Sequence, residues 1–382
     1  MRPFLLVTGD FVRTGGMDQC NHALATFLAD RGTETHLVAH RVEEQLAAHP
    51  NVTFHRVPKP LDSYLLGRSI LARRGRTVAK SIARRGGRVV VNGGNCIWPD
   101  VNWTIHLHTR YKPEIAASLP RRLKADIEFR QAATAERRAL ACARLVIAGS
   151  EATRRELIED FGIDPTRIHI VDLGVDPRMF RIPSLDERYA ARAHRGFVGE
   201  HLRVAFVGAI GDRRKGFDTL YAAWKELCGD PQWNVELIVV GAGFELPIWK
   251  ARAAADGLSN KIRFLGFNPV PDFVAEVLRA CDLMVSPTRY EGYGLAIQEA
   301  VCTGIPAIAS HLAPVTGRFK GAMSDLMLQN PEDVHELVHR LRLWHSRREE
   351  FNDEAAKLSD RLRRWTSSDM AARITETIEN NP

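Results

Sequence analysis

The sequence predicts an α/β protein of two domains, each a doubly wound parallel sheet covered by helices. Three observations carry that prediction. Short apolar runs alternate with helix-length amphipathic segments along nearly the whole chain, the pattern of strands joined by crossover helices. The 382 residues exceed what one hydrophobic core ordinarily serves, which points to roughly two or three domains. Two strands, Phe4–Val7 and Arg203–Val207, each run into a glycine-bearing turn, Gly15-Gly16 and Gly208, so a sheet starts afresh at each.

Taken in order, the strand candidates are Phe4–Val7, Thr35–Val38, Arg88–Asn92, Val101–His106, Leu145–Ala148, Ile168–Val171, Arg203–Val207, Glu236–Val240, Ile262–Leu265, Leu283–Ser286 and Ala307–Ala309. Helices are expected between most of them, including Asp18–Asp30, Glu151–Phe161, Phe217–Cys228 and Val270–Ala280. The stretch Asp176–Glu200 holds Pro177, Pro183 and the charged run Asp186-Glu187-Arg188, and reads as a linker. The expected domains are therefore 1–190 and 200–365. Ser367–Asn380 reads as a last helix with no strand after it, within a tail of 366–382.

Composition narrows the class. Hydrophobic residues make up 45% and charged residues 26% of the chain, as in soluble globular proteins. No apolar run approaches the ~18 residues needed to cross a bilayer, and the start is too short in apolar residues for a signal peptide. The expected location is cytoplasmic, with peripheral attachment to the inner face of the membrane as a further expectation. The six cysteines are scattered without a C-x-x-C pair, which argues against a disulfide framework or a zinc site and leads to an expectation of buried free thiols. The net charge of +7 is concentrated: residues 61–140 carry 16 Lys and Arg against 6 Asp and Glu. Within them, Arg68, Arg73, Arg74, Arg76, Lys80, Arg84, Arg85 and Arg88 follow one another without an acid.

The most informative block runs from Glu291-Gly292-Tyr293-Gly294-Leu295 through Glu299 to Ser310, after a strand ending in Ser286-Pro287-Thr288. Its glycines permit a tight turn and close approach of a ligand to the backbone. The helix starting near Leu295 offers free N–H groups to an anion. Glu291 precedes that helix and Glu299 lies about two turns on, at ~1.5 Å per residue. The block resembles the E-x7-E signature of glycosyltransferase family 4, retaining enzymes of the GT-B fold. That resemblance implies two Rossmann-like domains facing across a cleft and a terminal helix crossing back to the first. It implies that Glu291 contacts the donor sugar, Glu299 the nucleotide ribose, and that Gly292, Tyr293, Gly294 and Leu295 line the donor site.

The second constellation is Val207-Gly208-Ala209-Ile210-Gly211-Asp212-Arg213-Arg214-Lys215-Gly216-Phe217, where basic residues precede a helix. Fixed positive charge there would stabilise a departing diphosphate. Lys215 matches the family's lysine. The family's arginine usually follows the strand's glycine directly, and Ala209 stands there instead, leaving Arg213 or Arg214 to compensate. A third piece, Thr14-Gly15-Gly16-Met17-Asp18, resembles the family's first-domain G-G-x-E loop with Asp for Glu, and brings Gly16 to the donor.

In Val101–Thr109 a period-two alternation puts Trp103, Ile105 and Leu107 on one face, with Thr104, His106 and His108 on the other. The resemblance implies a sugar-contacting histidine at the end of this strand, His108 or else His106. Gly241-Ala242-Gly243 and Leu265-Gly266-Phe267 resemble the loops around the phosphate and base pockets, which adds Gly241 and Phe267 to the donor site.

No D-x-D is present to hold a cation, so neither a metal nor a cofactor is implied beyond the donor, a UDP- or GDP-sugar in expectation. The resemblance implies a hexosyl-type, metal-independent transferase acting on a glycan or lipid-linked acceptor in polysaccharide or glycolipid assembly. Ile70, Leu71, Val78 and Ile82 interleave the basic block, so Arg68–Arg88 also reads as an amphipathic helix for an anionic membrane surface. The same block lacks aromatic residues, which argues against nucleic acid. The remaining alternatives are a non-catalytic nucleotide-sugar-binding protein and a GT-B nucleotide-sugar epimerase.

Overall fold

The computed structural model describes residues 2–114, 119–199 and 201–381. They form two compact units, one built from Met1–Lys112, Leu119–Gly174 and Thr366–Pro382, the other around Val175–Trp365.

The first unit holds a seven-stranded parallel sheet: β1 (Phe4–Val7), β2 (Thr35–Ala39), β3 (Val52–Arg56), β4 (Arg88–Asn92), β5 (Val101–Thr104), β6 (Leu145–Ala148) and β7 (Ile168–Ile170). Their order is β3-β2-β1-β4-β5-β6-β7. Phe4 lies opposite Thr35 and Arg88, and Val7 opposite Val38 and Val91. All four residues of β1 are buried, as expected of a strand with parallel neighbours and helices on both faces. Strand order reverses between β1 and β4, and ligands of such sheets bind outside the carboxyl ends at that point.

Four long helices cover this sheet: α1 (Gly16–Asp30), α2 (Tyr64–Arg84), α3 (Leu119–Cys142) and α4 (Glu151–Phe161). Helix α2 carries the basic block, and its Leu71, Val78, Ala79 and Ile82 pack with Leu5, Val7, Val89 and Val91 in the core, Ile70 against them. The apolar residues expected to enter a membrane are therefore already buried in the domain. Most of what α2 leaves exposed beyond Ile70 is charge, at Arg73, Arg74, Arg76, Lys80 and Arg84.

The second unit repeats the plan. Strands β8 (Leu202–Val207), β9 (Val235–Val240), β10 (Ile262–Gly266), β11 (Leu283–Ser286), β12 (Ala307–Ser310) and β13 (Met327–Leu328) form a parallel sheet in the order β10-β9-β8-β11-β12-β13. Its helices are α5 (Leu185–His194), α6 (Phe217–Leu227), α7 (Leu246–Ala255), α8 (Phe273–Ala280), α9 (Leu295–Cys302), α10 (Val334–Ser346) and α11 (Arg348–Leu362). Phe217 stacks edge-on to Phe206 and Trp249, centroids 5.2 and 5.3 Å apart, which pins the start of α6 beside β8.

The stretch read as a linker has α5 at its centre and falls in the second unit. Ser184 and Glu187 form a capping box, and Arg188 and Arg192 reach Asp282 at 2.5 and 3.0 Å. Prolines at its flank and a charged first turn are equally the marks of a helix start, and here the cap decides. The strand expected over Val101–His106 ends at Thr104. Val52–Arg56 is an additional edge strand, half-buried and polar, so it lacks the apolar run that betrays a central strand. Cys20, Cys96, Cys281 and Cys302 are buried thiols as expected, but Cys142 is exposed and Cys228 half-buried.

The last helix, α12 (Ser367–Asn380), belongs to the first unit. Thr366 and Asp369 close a capping box at its start. Its Met370, Ala371, Ile374 and Ile378 are buried, it packs on α1, and Arg31 meets Glu379 at 2.7 Å.

Candidate functional site

Several helices open on side-chain caps: Ser150 before α4, Ser184 before α5, Asp333 before α10 and Thr366 before α12. Three other helices that follow strands are capped by glycines instead. Gly15 before α1, Gly216 before α6 and Gly294 before α9 bring no side-chain bond. The first N–H groups of those helices are thus not taken by a capping side chain, and each opens toward the end of its sheet with partial positive charge.

In the second unit the loop after β8 carries its charges to the loop after β11. Lys215 Nζ bonds Glu291 Oε1, and Arg214 Nη1 lies 4.0 Å from Glu291 Oε2. The three side chains are 13–19% exposed, so one carboxylate and two cations share a partly desolvated pocket wall. Arg214 is steadied by the Tyr290 carbonyl at 3.4 Å and by the Asp212 carboxylate, which also accepts its backbone N–H at 3.2 Å. Arg213 turns away: it is exposed, in the left-handed region at φ 56°. Of the two candidates to replace the arginine absent at Ala209, Arg214 is the one beside Glu291.

Close backbone approach explains two glycines here. A Cβ on Gly216 (φ 69°) would fall 1.9 Å from the Pro287 carbonyl oxygen, and one on Gly241 (φ 150°) 1.8 Å from that of Gly208. The loops after β8, β9 and β11 are therefore packed main chain on main chain, which fixes where Lys215 stands.

Two supporting residues escaped the sequence reading. Arg289 forks onto the Asp218 carboxylate at 2.8 and 2.9 Å, holds Glu332 at 2.8 Å and bonds the Arg213 carbonyl. Burial works against its charge, but the bonds to Asp218 and Glu332 outweigh it and raise the pKa. The Thr288 hydroxyl sits between the carbonyls of Arg214 (3.0 Å) and Tyr290 (2.9 Å). Only the E-x7-E block drew the eye to this loop, and neither residue belongs to that pattern.

The rest of the block is less open than its sequence suggests. Tyr293 is 3% exposed and its hydroxyl bonds Gln298 at 2.5 Å; Leu295 is buried too. Their side chains serve the domain interior, and only their main chain remains for a ligand. Glu299 is buried in the second turn of α9, near enough that its charge, after burial itself, helps push the Cys302 thiol up to about 12. Phe267 follows β10 and is 61% exposed; Gly241 donates to the Gly266 carbonyl at 3.0 Å beside it.

In the first unit Gly16 is exposed, and a Cβ there would meet nothing within 4 Å. Asp18, two residues on, has its pKa raised to about 7, by burial first and the nearby Asp10 second. Asp10 is itself held by Arg41 at 2.8 and 3.2 Å. Beyond β5 the chain leaves the sheet, so the period-two argument stops at Thr104. His106 and His108 sit side by side, ring centroids 5.3 Å apart. His108 is half-exposed and bonds Glu136 at 3.0 Å.

A model described as "Glycosyltransferase Family 4" matches residues 14–178, and one described as "Glycosyl transferases group 1" matches 201–345. The two together take in most of both sheets, with Gly16, His108, Lys215, Glu291 and Glu299. The chain belongs to glycosyltransferase family 4. A D-inositol 3-phosphate glycosyltransferase of Nocardia farcinica is 32% identical over 203 residues, 52% of this chain. That match spans 44% of the relative, so this chain aligns with about half the length of the curated relatives it resembles. Among solved structures, WaaG, a glycosyltransferase involved in lipopolysaccharide biosynthesis, superposes with TM-score 0.79 at 18% identity, over 97% of this chain and 99% of its own. HepE from Anabaena, solved in complex with UDP and glucose, gives 0.71 at 19% identity, over 99% of each. These likenesses place the family 4 chain in the GT-B fold.

Proposed function

We propose that the protein transfers a sugar from a nucleoside diphosphate sugar to an acceptor hydroxyl, with retention of the anomeric configuration, in cell-surface polysaccharide or glycolipid assembly. The observation that carries this reading is the Lys215–Glu291 pair, with Arg214 beside it, at the carboxyl end of the second sheet. Family membership supports the reaction class, and the UDP complexes of HepE support a UDP-sugar as the first donor to try.

In this reading Lys215 and Arg214 take the diphosphate and offset its charge as the glycosidic bond breaks. Glu291, released by Lys215, accepts bonds from sugar hydroxyls, and buried Glu299 from the ribose. His108 bonds the transferred sugar. A phosphate oxygen of the leaving group receives the acceptor's proton, so the scheme needs no protein general base, metal or cofactor. Phe267 and Gly241 lie where a base and its phosphates pass, with Gly16 on the loop of the first sheet.

The exposed arginines of α2 suit an anionic acceptor or an anionic membrane face by charge alone, worth about 1 kcal/mol per residue near such a surface. Among the described residues no helix is long and apolar enough to cross a membrane. Sedimentation with phosphatidylglycerol vesicles tests this attachment: binding lost in moderate salt fits it, and equal binding to neutral vesicles contradicts it.

The reaction itself is tested by incubating the protein with UDP-, GDP-, ADP- and dTDP-sugars while following nucleoside diphosphate release and thermal shift. Selective release or stabilisation with one donor is expected. No response to any donor would sink the catalytic reading.

A further inference from the structure

Glu136 of α3 has no exposed side-chain surface, and its two oxygens both serve one residue. The His108 backbone N–H donates to Oε2 at 3.0 Å, and His108 Nδ1 lies 3.0 Å from Oε1. A carboxylate taken wholly out of water is costly unless paired and bonded, so this arrangement is built rather than incidental. The fold builds it with the turn after β4. Buried Asn102 exchanges two bonds with Gly93, accepting its N–H at 3.1 Å and donating to its carbonyl at 3.0 Å. A Cβ on Gly94 would fall 2.8 Å from the Glu136 nitrogen, so glycine lets that turn lie against α3 at the residue that faces His108.

We infer that Glu136 is a positioning residue that fixes the tautomer and direction of His108. An ionised carboxylate only accepts hydrogen bonds. With Oε2 receiving the backbone N–H and Oε1 facing Nδ1, the ring proton belongs on Nδ1. Nε2, on the half-exposed side chain, then carries a lone pair and accepts a bond. The ligand group His108 meets is accordingly a hydroxyl that donates, not a phosphate oxygen that accepts. This rests on the reading of His108 as a sugar contact given above.

Glu136→Gln is nearly isosteric and inverts the pattern. Its carbonyl still takes the backbone N–H, while its NH2 faces Nδ1 and donates to it. That drives the proton to Nε2 and turns an acceptor into a donor. The test uses the full chain with 15N-labelled histidine. Long-range 1H–15N correlation reads the His108 tautomer, assigned by the signal missing in His108→Gln. The wild type is expected to hold the Nδ1–H form, and Glu136→Gln the Nε2–H form. Melting should shift by only a few degrees, and kcat should fall about tenfold or more with donor KM little changed.

A wild type in the Nε2–H form, or a tautomer unmoved by the substitution, overturns the inference, and the wild-type spectrum alone decides if the variant does not fold. If the tautomer flips yet His108→Gln transfers at the normal rate, Glu136 positions His108 as inferred and the sugar-contact reading fails.

Discussion

After β1 the chain passes Gly16 with open space beside it, whereas Gly216 after β8 and Gly241 after β9 are walled in by main chain. A Cβ on Gly16 meets nothing, while one on Gly241 or Gly216 would overlap a carbonyl oxygen. The two turns look alike in the sequence, each a glycine-bearing loop between a first strand and a helix. In one, glycine leaves room for something outside the domain. In the other, it lets three loops close on each other and hold Lys215 and Arg214 against Glu291. The charges follow the same division. The second loop has a formed ion pair at its centre; the first has a half-buried acid, Asp18, whose pKa is raised to about 7.

The strongest way to break this contrast is Gly241→Ala. The overlap and the positive φ together place it among substitutions costing ~3 kcal/mol or more, so a melt should show Tm lower by about 10 °C, or no folded protein. A neutral outcome would mean that the loops are not packed as described.

Asp18→Asn sharpens the other side. An acid whose folded pKa is raised contributes stability that is fully present below its unfolded value, near 3.8, and lost as pH rises through about 7. Between pH 4 and 8 the wild type should lose up to ~3 kcal/mol relative to the Asn variant. Urea titrations at several pH values would show it, and parallel curves for the two proteins would contradict it. Gly16→Ala should melt with the wild type yet weaken donor use about tenfold, ~1.4 kcal/mol, because the added methyl narrows open space. An unchanged transfer rate would leave that space without a ligand. The smallest effect is at a capped helix: Ser150, which accepts from the Thr153 N–H at 3.0 Å, should lose ~1 kcal/mol as Ser150→Ala without altering donor binding.

Much of this was legible in advance because it is written in local pattern. Central strands such as Phe4–Val7 and Leu283–Ser286 are short apolar runs, and both read correctly. The E-x7-E block and Lys215 pointed to the family. What stayed hidden depends on distance in space. Glu136 meets His108 across 28 residues and Arg289 meets Asp218 across 71, and no spacing rule announces either pair. Tyr293 sits inside the motif but turns inward to Gln298, since the block's sequence does not say which side of the loop each side chain takes. The packing of the basic helix was hidden for a related reason: its apolar residues were visible, but the surface they cover, the domain's own core, was not.

The central claim is that Lys215 grips the diphosphate while Glu291 serves the sugar, and it is tested most directly by separating binding from transfer. Bare nucleoside diphosphate binding and sugar transfer would be measured on Lys215→Ala and Glu291→Gln, with the donor found for the wild type. The account predicts about tenfold weaker diphosphate binding for Lys215→Ala. For Glu291→Gln it predicts binding retained or tightened, because Lys215 is no longer tied, with transfer about a hundredfold slower. Transfer near the wild-type rate in both variants, with both folded, would contradict it.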